Sequence, residues 1–556
     1  MLSWDEACAQ VGAPGSMFEI VEDERGNRTF KHAPPNLRGL FDIARLGGDD
    51  IFLVYEDERW SFNEFFKRVD ALGDALVNRY GIEKGDRVAI GMRNYPEWVM
   101  SMLAIISVGG VSVSLNAFWV EDELEYALED CGASLLIADV ERIARSLNPC
   151  RKLGIRMLEV RAATPSAADV EQWDDVVVPG PAMPAVDVGP DDDATILYTS
   201  GTTGRPKGAV STNLAVVSSV MAFGSRSTVD ALRAASARPA DAPPPPELPP
   251  ALILIVPLFH VTGCVPVLLS CVVSRLKLVM MYRWNVDKAL ELIERERVTN
   301  FIGVPTQSWD LVNSPRFAEF DTSSLRSVGG GGAPAPTALV ERVADTVKSG
   351  GPSLGYGMTE TNAFGPNNSG ADYLTHPTST GRLMPIMRIE IRDPDRRPVP
   401  TGERGEIWFK GPMLIRGYWN KPEATAETIV DGWLRSGDIG RVDEDGFYYI
   451  EDRLKDMILR GGENVYCAEV ESAIYEHPAV HEAAVFGVPH ERLGEEVAVA
   501  VHLVDGATLT AEELCAFLSK KIAAFMVPSR VLIMSDPLPR NPAGKFLKRQ
   551  LRDELV

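Results

Sequence analysis

The segment richest in chemistry is Tyr198-Thr199-Ser200-Gly201-Thr202-Thr203-Gly204-Arg205-Pro206-Lys207-Gly208, directly after the apolar run Ala194-Thr195-Ile196-Leu197. Its four Ser/Thr hydroxyls, three glycines and a lysine supply close backbone approach, hydrogen-bond donors and a mobile positive charge. Those are the requirements of an oligophosphate. The spacing is not GxxxxGK[ST], so this is no Walker A loop. A second segment, Gly355-Tyr356-Gly357-Met358-Thr359-Glu360-Thr361, is preceded by the run Gly329-Gly330-Gly331-Gly332-Ala333-Pro334. Here glycines let backbone approach a planar ligand, Tyr356 offers a stacking face, and Thr359 with Glu360 suits phosphate and a divalent cation. Taken singly, Asp438, Arg453, Lys455 and Lys545 would each pass for a turn residue or a solvated charge, and His260 for a core histidine.

In this order the segments resemble the signatures of the AMP-forming acyl-CoA synthetase superfamily, the adenylate-forming enzymes, in its acyl-CoA synthetase and 4-coumarate-CoA ligase-like branch. The resemblance covers most of the chain. It implies that Thr199, Ser200, Gly201, Thr202, Thr203, Gly204 and Lys207 cradle the phosphates of ATP. It places adenine among Gly331, Ala333, Pro334, Gly355, Tyr356, Gly357 and Met358, and gives Thr359 and Glu360 a catalytic role, with Glu360 as the Mg²⁺ ligand. Trp433-Leu434-Arg435-Ser436-Gly437-Asp438 is similar to the family's ribose site, where Asp438 accepts hydrogen bonds from both hydroxyls. In Tyr449-Ile450-Glu451-Asp452-Arg453-Leu454-Lys455-Asp456 the resemblance puts Ile450 and Arg453 at the nucleotide and Lys455 at a hinge between domains.

Pro539-Arg540-Asn541-Pro542-Ala543-Gly544-Lys545 resembles the loop of the catalytic lysine, whose compact ammonium suits the bridge between attacking carboxylate and α-phosphate. Leu459 to Tyr466, with Gly461, Gly462 and Glu463, resembles the loop that lines a pantetheine tunnel, and Pro257-Leu258-Phe259-His260 the segment that abuts the carboxylate and gates it. The implied activity is that of an ATP-dependent acid–thiol ligase. A fatty, aromatic or polycyclic acid becomes an acyl-AMP with release of pyrophosphate, and the acyl group passes to coenzyme A. Residues from Gly303 to Trp309, with Gly329 to Gly332, are expected to line the acyl pocket. An amino-acid-activating enzyme is disfavoured, because His260-Val261-Thr262-Gly263 holds no aspartate for an α-ammonium group. The alternatives are an acyl-AMP ligase that loads a carrier protein and a nucleotide-binding protein without turnover.

The elements that must hold these groups follow from hydrophobic pattern. Runs such as Arg87 to Met92, Val111 to Leu115 and Ser134 to Ala138 read as strands, and Pro96 to Ile106 and Glu121 to Leu128 as helices. Their alternation predicts an α/β architecture of stacked, largely parallel layers. From about Arg382 short strands with tight turns, Arg388 to Ile391, Gly405 to Phe409 and Phe447 to Ile450, predict a small β-rich subdomain at about 382–452. The expected division is an N-terminal adenylation domain over 1–452 and a mobile α+β lid over 453–556.

At 556 residues, with 45% apolar and 24% charged side chains, the chain is long enough for two or more packed domains. A net charge of -22 argues against nucleic acid as a partner and requires any phosphate site to be local. The seven cysteines include no CxxC pair, and the first residues lack a signal-peptide pattern, so reduced thiols in a cytoplasm are expected. Ala251 to Ser274 is apolar and long enough to span a bilayer. Pro257, His260, Gly263 and Pro266 interrupt it, which predicts a buried strand, turn and helix instead. No transmembrane segment is therefore expected; peripheral membrane contact and a homodimer stay open. The proline-dense stretch Arg238 to Pro250 reads as a solvated insertion.

Overall fold

A computed structural model describes the chain except for residues 1, 24–25, 200–204, 240–247, 334, 455, 461–462, 541–544 and 556. Most of the proline-dense insertion thus lies outside the described residues. The expected alternation is present: Arg87–Gly91, Val111–Ser114 and Leu135–Asp139 are strands, with Pro96–Ser107 and Glu121–Cys131 as helices between them. They belong to an eight-stranded sheet whose order is Gly417–Tyr418, Lys207–Thr212, Asp193–Thr199, Val111–Ser114, Arg87–Gly91, Leu135–Asp139, Arg156–Val160, Val170–Gln172. A second eight-stranded sheet runs Asn367–Ser369, Gly351–Gly355, Ser327–Gly331, Asn300–Gly303, Ala251–Leu254, Lys277–Met280, Ile51–Tyr55, Glu58–Ser61.

One apolar cluster joins these two sheets. It takes Ile90, Leu135 and Ile137 from the first, Leu254, Leu278 and Met280 from the second, and Trp98, Leu103, Val217 and Met221 from helices. Helix Pro96–Ser107 lies within this cluster and is buried on almost every residue, which explains why its sequence is apolar on all sides rather than striped. Ala251–Leu254 sits in the second sheet, and the apolar run continues through the helical turns Gly263–Leu269 and Ser270–Val273. Among the described residues no helix is long and apolar enough to cross a membrane.

The β-rich stretch forms a five-stranded sheet in which Arg388–Arg392, Gly405–Lys410 and Trp433–Val442 are neighbours and Tyr448–Arg453 pairs with Trp433–Val442. By Ile458–Arg460 the chain has entered a last sheet, which is built on Val480–His490 and Gly494–Leu503 and has its own apolar core around Val485 and Val499. All seven cysteines are unpaired, and six of them are buried.

Parallel pairing puts the ends of Ala251–Leu254, Asn300–Gly303, Ser327–Gly331 and Gly351–Gly355 on one side of the second sheet. That carboxyl edge is where open α/β sheets present ligands. Gly303, Gly331 and Gly355 end their strands there, and the loop after Leu254 carries Phe259 and His260.

Candidate active site

Thr199 and Lys207, which flank the hydroxyl-rich segment, are the last register pair of an antiparallel strand pair. Ser200, Gly201, Thr202, Thr203 and Gly204 lie outside the described residues, and the residues on either side of them are tied to their neighbours. The Tyr198 hydroxyl donates to Asp130 at 2.8 Å, the Tyr126 hydroxyl to the Pro206 carbonyl at 3.1 Å, and the Arg205 guanidinium stacks 4.7 Å from the Tyr126 ring. Gly417–Tyr418 pairs with the outer edge of Lys207–Thr212. That short strand brings the Tyr418 ring to 5.0 Å from the Lys207 ammonium, while the Tyr418 hydroxyl donates to Glu360 at 2.7 Å. Sequence reasoning singled out Lys207 and Glu360 but not the tyrosine between them.

Glu360 is buried and sits in the short turn Thr359–Thr361. The next residue along, Asn362, takes a left-handed conformation at φ 49°, which asparagine tolerates better than most side chains. Its amide donates to the Met413 carbonyl and accepts from Ser211, so the turn is pinned to the first sheet. Gly357 is required for close approach: a methyl there would strike the carbonyl of Ala363, where the chain folds back. Burial, followed by the Glu360 charge, raises the Tyr418 phenol far above its ordinary range, so it remains a donor. Among the described residues no group of three or more His, Cys, Asp or Glu could hold a metal ion. Magnesium bound by one carboxylate together with substrate phosphates needs no such group, so Glu360 and its surroundings fit that ion.

On the other side of Gly355 stands a buried tyrosine–carboxylate pair. The Tyr356 hydroxyl donates to Asp438 at 2.5 Å, and Arg453 Nε lies 3.4 Å from the other carboxylate oxygen. Asp438 and Arg453 are register partners on adjacent strands, with Ile450 opposite Gly440 on the same pair. Burial, then the Asp438 charge, lifts the Tyr356 phenol well above its usual value. Gly331 must be glycine, since a Cβ there would meet the Gly355 carbonyl at 2.5 Å. Ala333 is half-buried in the bend after that strand, Met358 packs against the main core, and Pro334 is not among the described residues.

His260 is held by its own turn: its N–H donates to the Pro257 carbonyl, and Nδ1 accepts from the Thr262 N–H at 3.3 Å. The ring proton therefore belongs on Nε2. Asn94 clamps this loop, donating to the Val256 carbonyl and accepting from Leu258, a contact between distant stretches that no motif signals. Burial, with a further push from the Lys545 ammonium, brings His260 down to about 4, so the ring is neutral at pH 7. The same push places Lys545, from the chain's last stretch, within electrostatic reach of the carboxyl edge of the second sheet.

The loop carrying Lys545 is closed at its neck by an antiparallel bridge between Arg540 and Phe546 and a 2.8 Å hydrogen bond from Leu547 to Pro539. Buried Glu482 accepts from Leu538 at 2.7 Å and pairs with Arg540 at 2.8 Å. Residues 541–544 and Lys455 lie outside the described residues, as do Gly461 and Gly462 between the register partners Arg460 and Glu463; Glu463 itself is exposed.

Residues 40–419 match the family of AMP-binding enzymes, and residues 469–545 match that family's C-terminal domain. The chain belongs to the AMP-binding enzyme family. Its relatives include a feruloyl-CoA synthase from Amycolatopsis sp, 36% identical over 88% of this chain and 93% of that protein. The long-chain-fatty-acid–CoA ligase FadD13 of Mycobacterium tuberculosis is 34% identical over 86% of this chain and 92% of its own length. Among solved structures, the o-succinylbenzoate CoA synthetase of Bacillus subtilis, in complex with its acyl-adenylate intermediate, superposes with a TM-score of 0.78 at 29% identity, covering 94% of this chain and 98% of that one. This AMP-binding enzyme is an adenylate-forming acyl-CoA ligase: it activates a carboxylic acid as an acyl-AMP and transfers the acyl group to coenzyme A.

Proposed function

We propose that the two half-reactions share the pocket between Glu360, Asp438, His260 and Lys545, and that the chain beyond residue 452 is a lid that turns about Lys455 between them. The observation that carries this reading is the charge of Lys545 felt by His260, since those residues come from opposite ends of the chain. With the lysine there, its ammonium is suited to hold the acid carboxylate against the α-phosphate as that carboxylate attacks and pyrophosphate leaves. The 199–207 hairpin, with Lys207, would bind the β- and γ-phosphates. Asp438 would take the ribose hydroxyls, with Arg453 beside it, and Tyr356 would flank adenine. Mg²⁺, bound through Glu360 and phosphate oxygens, would supply positive charge to the leaving pyrophosphate.

His260 in its Nε2–H form donates a hydrogen bond to a carboxylate oxygen and, being uncharged, does not compete with Lys545. In the second step the thiolate attacks the acyl carbon and AMP leaves, which requires the lysine to vacate the space the thiol enters. Gly461, Gly462 and Glu463 would then line the thiol's approach. The acid is fatty, aromatic or polycyclic, in keeping with relatives named for feruloyl and long-chain fatty acyl groups. Unpaired buried cysteines support a reducing, cytoplasmic setting. The test is ATP- and acid-dependent pyrophosphate release, measured first without and then with coenzyme A. Release without the thiol, followed by acyl-CoA formation on adding it, is expected; release that strictly requires the thiol would contradict two separable steps.

A further inference from the structure

Strand Val480–His490 contributes Ala484, Phe486 and Val488 to an apolar cluster that also takes Leu538 and Leu551 from the chain's last stretch. Glu482 falls two residues before Ala484, on the same strand face by alternation, and only 7% of its surface is exposed. A carboxylate buried beside an apolar cluster is costly unless it is paired and hydrogen-bonded. Packing alone would be served as well by an apolar side chain. A register irregularity between Val480 and Glu482 stands directly before it, the kind of backbone feature that re-aims a side chain.

Both oxygens of Glu482 reach one short stretch of chain. Oε2 accepts from the Leu538 N–H at 2.7 Å and Oε1 from the Arg540 guanidinium at 2.8 Å. That stretch leads into the loop that ends at Lys545. The returning side is fastened to the same place. Arg540 stacks 4.0 Å from the ring centre of Phe546 and shares an antiparallel bridge with it, and the Leu547 N–H donates to the Pro539 carbonyl at 2.8 Å. Further on, Lys548 pairs with Glu471 at 2.8 Å and opens helix Lys548–Leu555, whose Leu551 is fully buried. Through Arg540 and Phe546, Glu482 thus holds the backbone next to Lys545.

Resting on the reading of Lys545 above, we propose that the Glu482–Arg540 pair is a positioning element of the first half-reaction: it fixes the neck of the loop so that the Lys545 ammonium is presented to the α-phosphate. The pair acts through the lysine and not on substrate. Displacing a catalytic group by about 1 Å is enough to cost on the order of 10²-fold in rate. Glu482, Arg540 and Lys545 all lie beyond residue 452, so the pair travels with the lysine when the lid turns. Its loss should therefore spare the second half-reaction, from which the lysine has withdrawn.

The test uses Glu482→Gln, which offers one acceptor oxygen to two donors, and Arg540→Gln, which removes the cation. Each is expected to lower kcat for acid-dependent pyrophosphate release from ATP about tenfold or more, with KM for ATP within about threefold of wild type. Thioester formation from preformed acyl-AMP and coenzyme A should stay within about threefold, and it reports that each variant is folded. Arg540→Lys, which keeps a charged donor for Glu482, should retain release within about threefold. In a Lys545→Ala background, Glu482→Gln should change the residual release less than about twofold, since residues that act as a unit are not additive. Should Glu482→Gln fail to fold, the contrast between Arg540→Gln and Arg540→Lys decides. Equal loss in both assays, a loss confined to KM, or a full further loss on top of Lys545→Ala overturns the proposal in favour of a purely structural ion pair. Release that survives Lys545→Ala overturns it together with the reading it rests on. Release lost in Lys545→Ala but kept in both glutamine variants overturns it alone.

Discussion

A single phenol couples two charged groups beside the proposed phosphate site. Tyr418 donates to Glu360 at 2.7 Å and presents its ring to Lys207 at 5.0 Å, so loss of the hydroxyl alone would strip a buried carboxylate of its donor while a phenylalanine ring kept the cation–π contact. Outer partners of a metal-holding carboxylate are worth roughly 10–100-fold in metal affinity. Tyr418→Phe is therefore expected to raise the KM for Mg·ATP by about tenfold or more with the fold intact, and steady-state kinetics over a Mg²⁺ series would show it. His260 carries a second prediction. Its pKa of about 4 makes it a weak base for a thiol, so a role in proton transfer, worth roughly 10²–10⁴-fold, is not expected. His260→Phe should lower thioester formation by less than that range and leave the pH–rate profile between pH 5 and 8 unchanged in shape; a lost ionisation near neutrality would show that the ring does titrate there. At this scale the sequence displayed groups whose neighbours also carry a signature, such as Glu360 and Asp438. It hid Tyr418, Asn94 and Glu482, because each acts through a partner more than fifty residues away.

Between the five-stranded sheet and the last sheet, the strand Tyr448–Arg453 and the helix Cys467–Tyr475 meet at Asp452, whose buried carboxylate accepts from the Cys467 N–H at the helix start. Burial raises this acid from 3.8 to about 6, outweighing its hydrogen bonds and the charge of Lys548. A carboxyl whose folded pKa lies above its unfolded one gives stability that is full below about 4 and is lost as pH rises through about 6. Two pK units correspond to roughly 3 kcal/mol. Asp452→Asn, which keeps an acceptor for Cys467, should therefore gain roughly 3 kcal/mol on wild type between pH 4 and pH 7 in unfolding experiments; parallel stability curves would contradict the burial argument. The elements themselves were largely legible. Strand and helix runs of the first half fall where hydrophobic period places them, to within a few residues; Pro257 falls in the turn after strand Ala251–Leu254, whereas Gly263 and Pro266, expected to interrupt the apolar run, lie inside the helical turns that follow. What period cannot supply is pairing: nothing local says that Gly417–Tyr418 adds to the edge of Lys207–Thr212, since that contact spans about two hundred residues.

At the scale of the whole molecule, in a chain of net charge -22, the cations proposed to meet phosphate, Lys207, Arg453 and Lys545, come from three separate stretches. Steering by the overall surface opposes an anionic nucleotide, so affinity has to arise at short range from these groups and from backbone amides. The layered α/β class was readable because alternating strands and helices leave few architectures open. Convergence of the last stretch on the first was not readable from pattern; it came from family resemblance, and its physical trace is the charge of Lys545 acting on His260 beside the larger effect of burial. The most direct test uses Lys545→Ala in two assays, acid-dependent pyrophosphate release from ATP and thioester formation from preformed acyl-AMP with coenzyme A. Loss of the first by on the order of 10²-fold or more, with the second within about tenfold of wild type, is the predicted result. Equal loss in both assays would show that the lysine serves the whole site rather than one step, and would contradict a lid that turns between them.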